Sequence, residues 1–228
     1  MNMPPPSAAK PFKKSSNTIT KAIKTIAKKS MSDAAAEIRS AQNAENNDIV
    51  NCPVSCDGTW QKRGFSSQNG CVAVISIDTG KVLDVEAMSK FYKQCQLHSH
   101  LDKDSVEYQL WRADHNHCTA NFQGSAPAME PEGTERIFRR SIETHKLRYS
   151  ELYGDGDSKR HKQVKDVYSD DGIEVSKQEC IGHAQKRVGT ALRKLKKGGK
   201  GKLTDAIIDK LQNYYGIAIR SNVETWRE

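Results

Sequence analysis

Apolar positions change their period several times along the chain, and each change marks an element. From Thr18 to Ser40 they recur at spacings of three and four, through Ile19, Ala22, Ile23, Ile26, Ala27, Met31, Ala34, Ala35 and Ile38. That period is one face of a helix. Lys21, Lys24, Lys28 and Lys29 lie on the other face. The pattern reads as a helix packed on the domain, with a phosphate-contacting helix as the alternative. The Pro-, Lys- and Ser-rich residues 1–16 read as a disordered basic tail, and polar residues 41–48 as a linker.

The period then drops to two. Val50 to Arg63 can hold one strand, and a second starts at Gly70 with Val72, Val74, Ile75 and Ile77. Asp78-Thr79-Gly80 is a turn signal, and Val82 to Glu86 continues as a third strand. Short turns between them predict an antiparallel meander. Residues 92–130 are polar and weakly periodic, which predicts an irregular insertion carrying Cys and His. A helix follows to about Lys146, with Thr134 as its N-cap and Ile137, Phe138, Ser141 and Ile142 as its buried stripe. Leu147 to Tyr153 reads as a fourth strand, Ser158 to Tyr168 as a helix and Ile173 to Val175 as a short strand. Helices over Cys180–Lys197 and Leu203–Tyr215 close the pattern.

Three antiparallel strands followed by α-β-α-β make an α/β fold with a mixed sheet and flanking helices. The chain has 228 residues, enough for one substantial core. Four stretches are expected: the tail (1–16), the amphipathic helix and linker (17–48), the core with its insertion (49–180), and a basic helical segment with a divergent end (181–228). No run approaches the roughly 18 apolar residues of a membrane span. No apolar stretch follows the N-terminus, so export is not expected.

Charge adds a partner. The net charge is +8, unevenly spread. Residues 1–32 hold seven Lys and no acid, and residues 180–220 hold ten basic and two acidic residues. Two basic segments around an acidic middle point to a polyanion such as DNA. The basic helix offers Lys186, Arg187, Arg193, Lys194, Lys196 and Lys197 to a phosphate backbone. The glycine-rich basic stretch at 198–202 lacks the spacing of a phosphate-cradling loop. It reads as a basic loop touching DNA or as a solvated turn.

Two constellations carry candidate chemistry. Asp57 lies in the first strand, and Asp155 follows the fourth, with Asp157 two residues on. A right-handed crossover would set the fourth strand beside the first. The two carboxylates could then share divalent cations such as Mg²⁺ or Mn²⁺, as phosphoryl transfer requires. Turn chemistry alone is the competing reading of Gly154–Asp157. The second constellation is Cys95-x2-His98 with His115-x2-Cys118, each pair suited to one corner of a tetrahedral Zn²⁺ site. His100 and His117 are alternates, and a polar surface loop is the competing reading. Cys180 and His183 fall one helical turn apart, which fits a buried thiol and a positioned His better than zinc. With no export signal, the six Cys are read as reduced thiols.

Four motifs stand in order: Asp57-Gly58-Thr59-Trp60, Asn121 to Glu130 (NFQGSAPAME), Tyr153 to Lys159 (YGDGDSK) and Glu179-Cys180-Ile181-Gly182-His183. Together they resemble the catalytic core of Mutator-like transposases, over roughly Met3 to Asn222. The resemblance implies an RNase H-like fold and an Asp-Asp-Glu metal site for DNA strand cleavage and transfer. It also implies a nuclear location and a homo-oligomer when active. Asp57 matches the first acid and Asp155 the second. Cys180 and His183 match a Cys-x2-His signature after the second acid. The third acid, a Glu, is expected on a helix beyond a helical insertion. The late Glu224 and Glu228 do not fit that context. The chain is therefore read as a partial core. The alternatives are a non-catalytic DNA-binding remnant and a zinc-stapled interaction module.

Overall fold

The computed structural model describes residues 9–62, 65–116, 118–154, 158–198 and 203–222. Its centre is a five-stranded sheet of order β3-β2-β1-β4-β5. β1 (Val50–Trp60), β2 (Asn69–Ser76) and β3 (Val82–Ser89) form an antiparallel meander. β4 (Leu147–Gly154) lies parallel to β1 on its other side, and β5 (Ser176–Glu179) lies parallel to β4. The turn between β2 and β3 uses Gly80 at φ +66°, the left-handed region where a side chain is unfavourable.

Alternation along β1 decides what faces what. Cys52, Val54 and Cys56 are buried, whereas Asp57 and Thr59 are exposed. The buried side meets Val72, Val74, Leu83, Leu147 and Leu152 from the other strands. It is covered by α4 (Met129–His145) through Ile137 and Phe138, and by the end of α1 (Ala9–Ala41) through Ala34, Ala35 and Ile38. Gly133 lets α4 approach the sheet: a Cβ there would stand 2.8 Å from Val72 Cγ2.

Several boundaries differ from expectation. α1 begins at Ala9, inside the stretch read as a disordered tail. Only its last third packs; residues 11–30 are exposed, Ile19, Ile23 and Ile26 included. The polar linker is held by Arg39, which donates to the carbonyls of Glu45, Asp48 and Lys146. α4 starts at Met129, so Thr134 is interior and its hydroxyl donates to the Glu130 carbonyl rather than capping. Pro131 is tolerated because first-turn N–H groups have no helical acceptor. The insertion is not irregular throughout: it holds α2 (Lys93–Leu97) and α3 (Val106–Asp114), the latter capped by Ser105. α5 is short (Ser158–Val164), and β5 falls just after the expected 173–175. α6 (Ile181–Gly198) and α7 (Asp205–Ser221) form a hairpin.

Beneath α4 the core contains two tyrosines in different states. Tyr168 OH meets Ser141 Oγ at 2.7 Å and accepts from the Tyr149 backbone N–H at 3.2 Å. Tyr149 is fully buried with its ring edge-on to Phe138, and its hydroxyl has no partner among the described residues. An unpartnered buried hydroxyl carries a desolvation cost of about 1–3 kcal/mol. Tyr149→Phe should therefore raise stability by about 1 kcal/mol in urea unfolding. Tyr168→Phe, which takes the acceptor from the buried Tyr149 N–H and leaves Ser141 Oγ only its bond to the Phe138 carbonyl, should lower it by about 1–3 kcal/mol.

Candidate functional site

Asp57 sits near the end of β1 with its carboxylate on the exposed side of the strand. Its Oδ1 accepts from the Gly58 N–H at 2.9 Å. The parallel neighbour β4 runs to Gly154, and the last described rung joins Ser55 to Tyr153. The C-terminal ends of these two strands therefore lie side by side. Asp155 and Asp157, the expected second acid and its competitor, lie outside the described residues.

On the buried side of the same strand ends sits a polar anchor. Arg160, on α5, is only 7% exposed. It donates to the carbonyl of Cys56, the residue before Asp57, and pairs with Glu130 at 2.8 Å. Its Nη2 would lie 3.4 Å from a Cβ added to Gly154. One guanidinium thus touches the ends of β1 and β4 and the first turn of α4. The Glu130 side chain in turn fills the space a Cβ on Gly58 would take, 3.1 Å from its Cγ. Nearby, Trp60 Nε1 donates to the Ala126 carbonyl at 3.1 Å. The Gly124–Glu130 segment is thereby fastened to the strand that carries Asp57. Burial pushes the Cys56 thiol up to about 12, so it stays neutral and serves as packing.

Neither Glu130 nor Arg160 was singled out as a site residue from the sequence. Glu130 ends a motif already noted. Arg160 lies one turn before the buried Val164, and a cation on that buried face was the available signal.

In the insertion, Cys95 of α2, His115 at the end of α3 and Cys118 converge. Cys95 Sγ lies 3.2 Å from His115 Nε2 and 3.5 Å from Cys118 Sγ. All three donor atoms lie within 4.8 Å of one another, a grouping able to hold a metal ion. His98 is not in that group: its Nδ1 meets the Gln94 carbonyl at 2.8 Å, and its ring stacks on Trp111 at 4.6 Å. Trp111 also lies 4.4 Å from the His115 ring and packs against it. The alternate His100 is exposed, and His117 lies outside the described residues. Burial, then the adjoining Cys118, raises the Cys95 thiol. A bound cation would reverse that order by favouring thiolates.

The Cys180–His183 pair is not the buried pair expected. Cys180 and His183 are both exposed at the start of α6, and the Cys180 N–H donates to the Gly154 carbonyl at 3.2 Å. Among the α6 cations, Arg187 pairs with Glu179, Arg193 with Asp209 at 2.8 Å and Lys196 with Asp205 at 2.7 Å. Lys186, Lys194 and Lys197 are partly or fully exposed and form no ion pair among the described residues. Thus half of the expected phosphate contacts brace the α6–α7 hairpin or its approach. Residues 199–202 of the basic loop lie outside the described residues.

Removing the anchor should be costly because its partner stays buried. Arg160→Met is expected to lose about 3 kcal/mol of unfolding free energy. Adding Glu130→Gln should restore most of it, read in the same urea titration.

With the site's geometry in hand, comparison with known proteins adds one match. The family model described as Mutator-like transposase matches residues 1–227. No curated protein and no solved structure matches the chain. No helix among the described residues is long and apolar enough to cross a membrane. A match over nearly the whole length, together with strands arranged around Asp57, places this chain in the Mutator-like transposase family.

Proposed function

We propose that this chain is an RNase H-like catalytic core of a DNA transposase, cutting and joining phosphodiesters with divalent cations. The observation that carries this reading is the parallel β1–β4 pair, which sets the Asp57 strand beside the strand leading into Asp155. Asp57 and Asp155, with Asp157 as the competing second acid, would hold Mg²⁺ or Mn²⁺. Such ions, when bound, supply charge neutralisation at the scissile phosphate and activation of the attacking oxygen. The donor set fits them, because hard divalent cations take carboxylate oxygens and Asp57 offers an exposed carboxylate.

The chain's own residues do the positioning. The Gly58 N–H fixes one oxygen of Asp57, and Arg160 fixes the backbone just before it. Lys186, Lys194 and Lys197 present charge to a DNA backbone. In the insertion, Cys95, His115 and Cys118 would hold Zn²⁺ as a structural staple. The reading carries with it a nuclear location and assembly into homo-oligomers on DNA. A second reading, DNA binding without strand chemistry, keeps the exposed Lys186, Lys194 and Lys197 as phosphate contacts and needs no metal-holding acids.

One assay separates them. On supercoiled DNA, Mg²⁺ or Mn²⁺ should elicit nicking that Asp57→Asn reduces about a hundredfold or more, with DNA affinity unchanged within about twofold. Binding with no metal-dependent nicking selects the second reading. Elemental analysis should find about one Zn²⁺ per chain, lost in Cys95→Ser and retained in His98→Ala.

A further inference from the structure

Two cavities adjoin beside the Cys/His cluster. The first, about 450 Å³, is lined by Lys90, Lys103, Arg112, Tyr108 and the thiols of Cys95 and Cys118, among others, and by no carboxylate among the described residues. The second, about 540 Å³, is lined by Pro127, Lys159, Lys162 and Glu132, among others. Phe122 and Gln123 line both, so the two form one trough with Phe122 at its waist. The single acid among the described lining residues, Glu132, is engaged by Arg136 at 3.0 Å. Lys90, Lys103, Arg112 and Lys162 form no ion pair among the described residues. This is unlike α6, where Arg187, Arg193 and Lys196 are paired.

The waist is held rigidly. Asn121 brackets the end of β3: its Nδ2 donates to the Ala87 carbonyl at 2.8 Å, and its Oδ1 accepts from the Ser89 N–H at 2.8 Å. The Phe122 N–H follows onto the Ser89 carbonyl at 3.1 Å. Gly124, at φ +147°, leaves room for the Phe122 ring; a Cβ there would sit 2.9 Å from Cζ. An aromatic ring is thus fixed between two cationic hollows.

We infer that this trough binds a single nucleic-acid strand, phosphates on Lys90, Lys103, Arg112 and Lys162 and a base against Phe122. Concave walls with an aromatic surface suit unpaired bases, whose faces a duplex keeps stacked. A basic trough with no unpaired acid among its described lining residues gathers successive phosphates. The inference rests on the DNA-directed reading above and names a path that α6 does not supply.

The test is fluorescence anisotropy against salt, without added divalent cations. The probes are an oligothymidylate of about 12 nucleotides and a duplex of equal length. The triple variant Lys90→Gln/Lys103→Gln/Lys162→Gln spares Arg112 beside the metal cluster. Three lost contacts should reduce the single-strand slope of log K against log salt by about 2, close to a hundredfold in affinity at 0.1 M salt. Duplex affinity should stay within a few-fold. The variant Lys186→Gln/Lys194→Gln/Lys197→Gln should do the reverse. An unchanged single-strand slope, or equal losses on both probes, overturns the trough while leaving the transposase reading in place. Failure of the wild-type chain to bind either probe overturns both. Zinc content and the urea midpoint verify folding. If the triple variant unfolds, Lys103→Gln and Lys162→Gln, both exposed, should each remove about 0.7 of the slope, and no change from either overturns the inference.

Discussion

The parallel pairing of β4 with β1 is the constraint on which the other features rest. It forces α4 to cross from the edge of the meander back to its first strand, over the buried face of the sheet. That crossing places Ile137 and Phe138 on the core and leaves the opposite face of β1 to Asp57 and Thr59. A right-handed return is the sterically favoured way to make such a connection. The same crossing brings Glu130, at the start of α4, against Gly58 at the end of β1.

Charge inside this layer is used sparingly and in closed sets. Arg160 answers Glu130 and a backbone carbonyl at the strand ends. At the far edge Arg140 binds Asp84 through Nε at 2.8 Å and Nη2 at 3.0 Å, and it also engages Glu86. Those carboxylates hold the Arg140 guanidinium charged. Buried ion pairs add little net stability but penalise any arrangement that separates them. Here they peg both ends of α4 to the sheet, so the helix has one register on it. Among the described residues the exceptions are Arg148 Nε and the Tyr149 hydroxyl, which are buried without a partner, whereas Tyr168 bonds the Tyr149 N–H and the Phe138 carbonyl.

The insertion behaves as a second, smaller structure with its own glue. Its two short helices bury no residue fully. Hydrophobic burial is therefore a weak organiser there, and the same segment gathers a Cys/His cluster, beside Trp111, that is able to hold a metal ion. The cavity on one side of this cluster is lined by Lys90, Lys103 and Arg112, among others. A metal staple would therefore also set the shape of a basic surface, linking the small site to the proposed path of a nucleic-acid strand.

Much of this was legible in the chain itself. A strand within Val50 to Arg63 was readable from the sequence, and the turn at Asp78–Gly80 dictated an antiparallel pair of strands after it. Spacing alone picked out Cys95, His115 and Cys118, because donors three residues apart on a short turn can converge. Spacing could not dismiss His98, whose ring is held by Trp111 and a local carbonyl. Nor could it find Arg160, because a lone arginine in a basic stretch looks solvated until the fold lays it between two strand ends. It likewise counted every lysine and arginine of α6 as free, whereas α7 returns aspartates to two of them. The physical reason is common to all three. Periodicity and turn chemistry act between near neighbours and are written locally, while the partner of a buried or paired charge is chosen by which distant segments the packed core brings together.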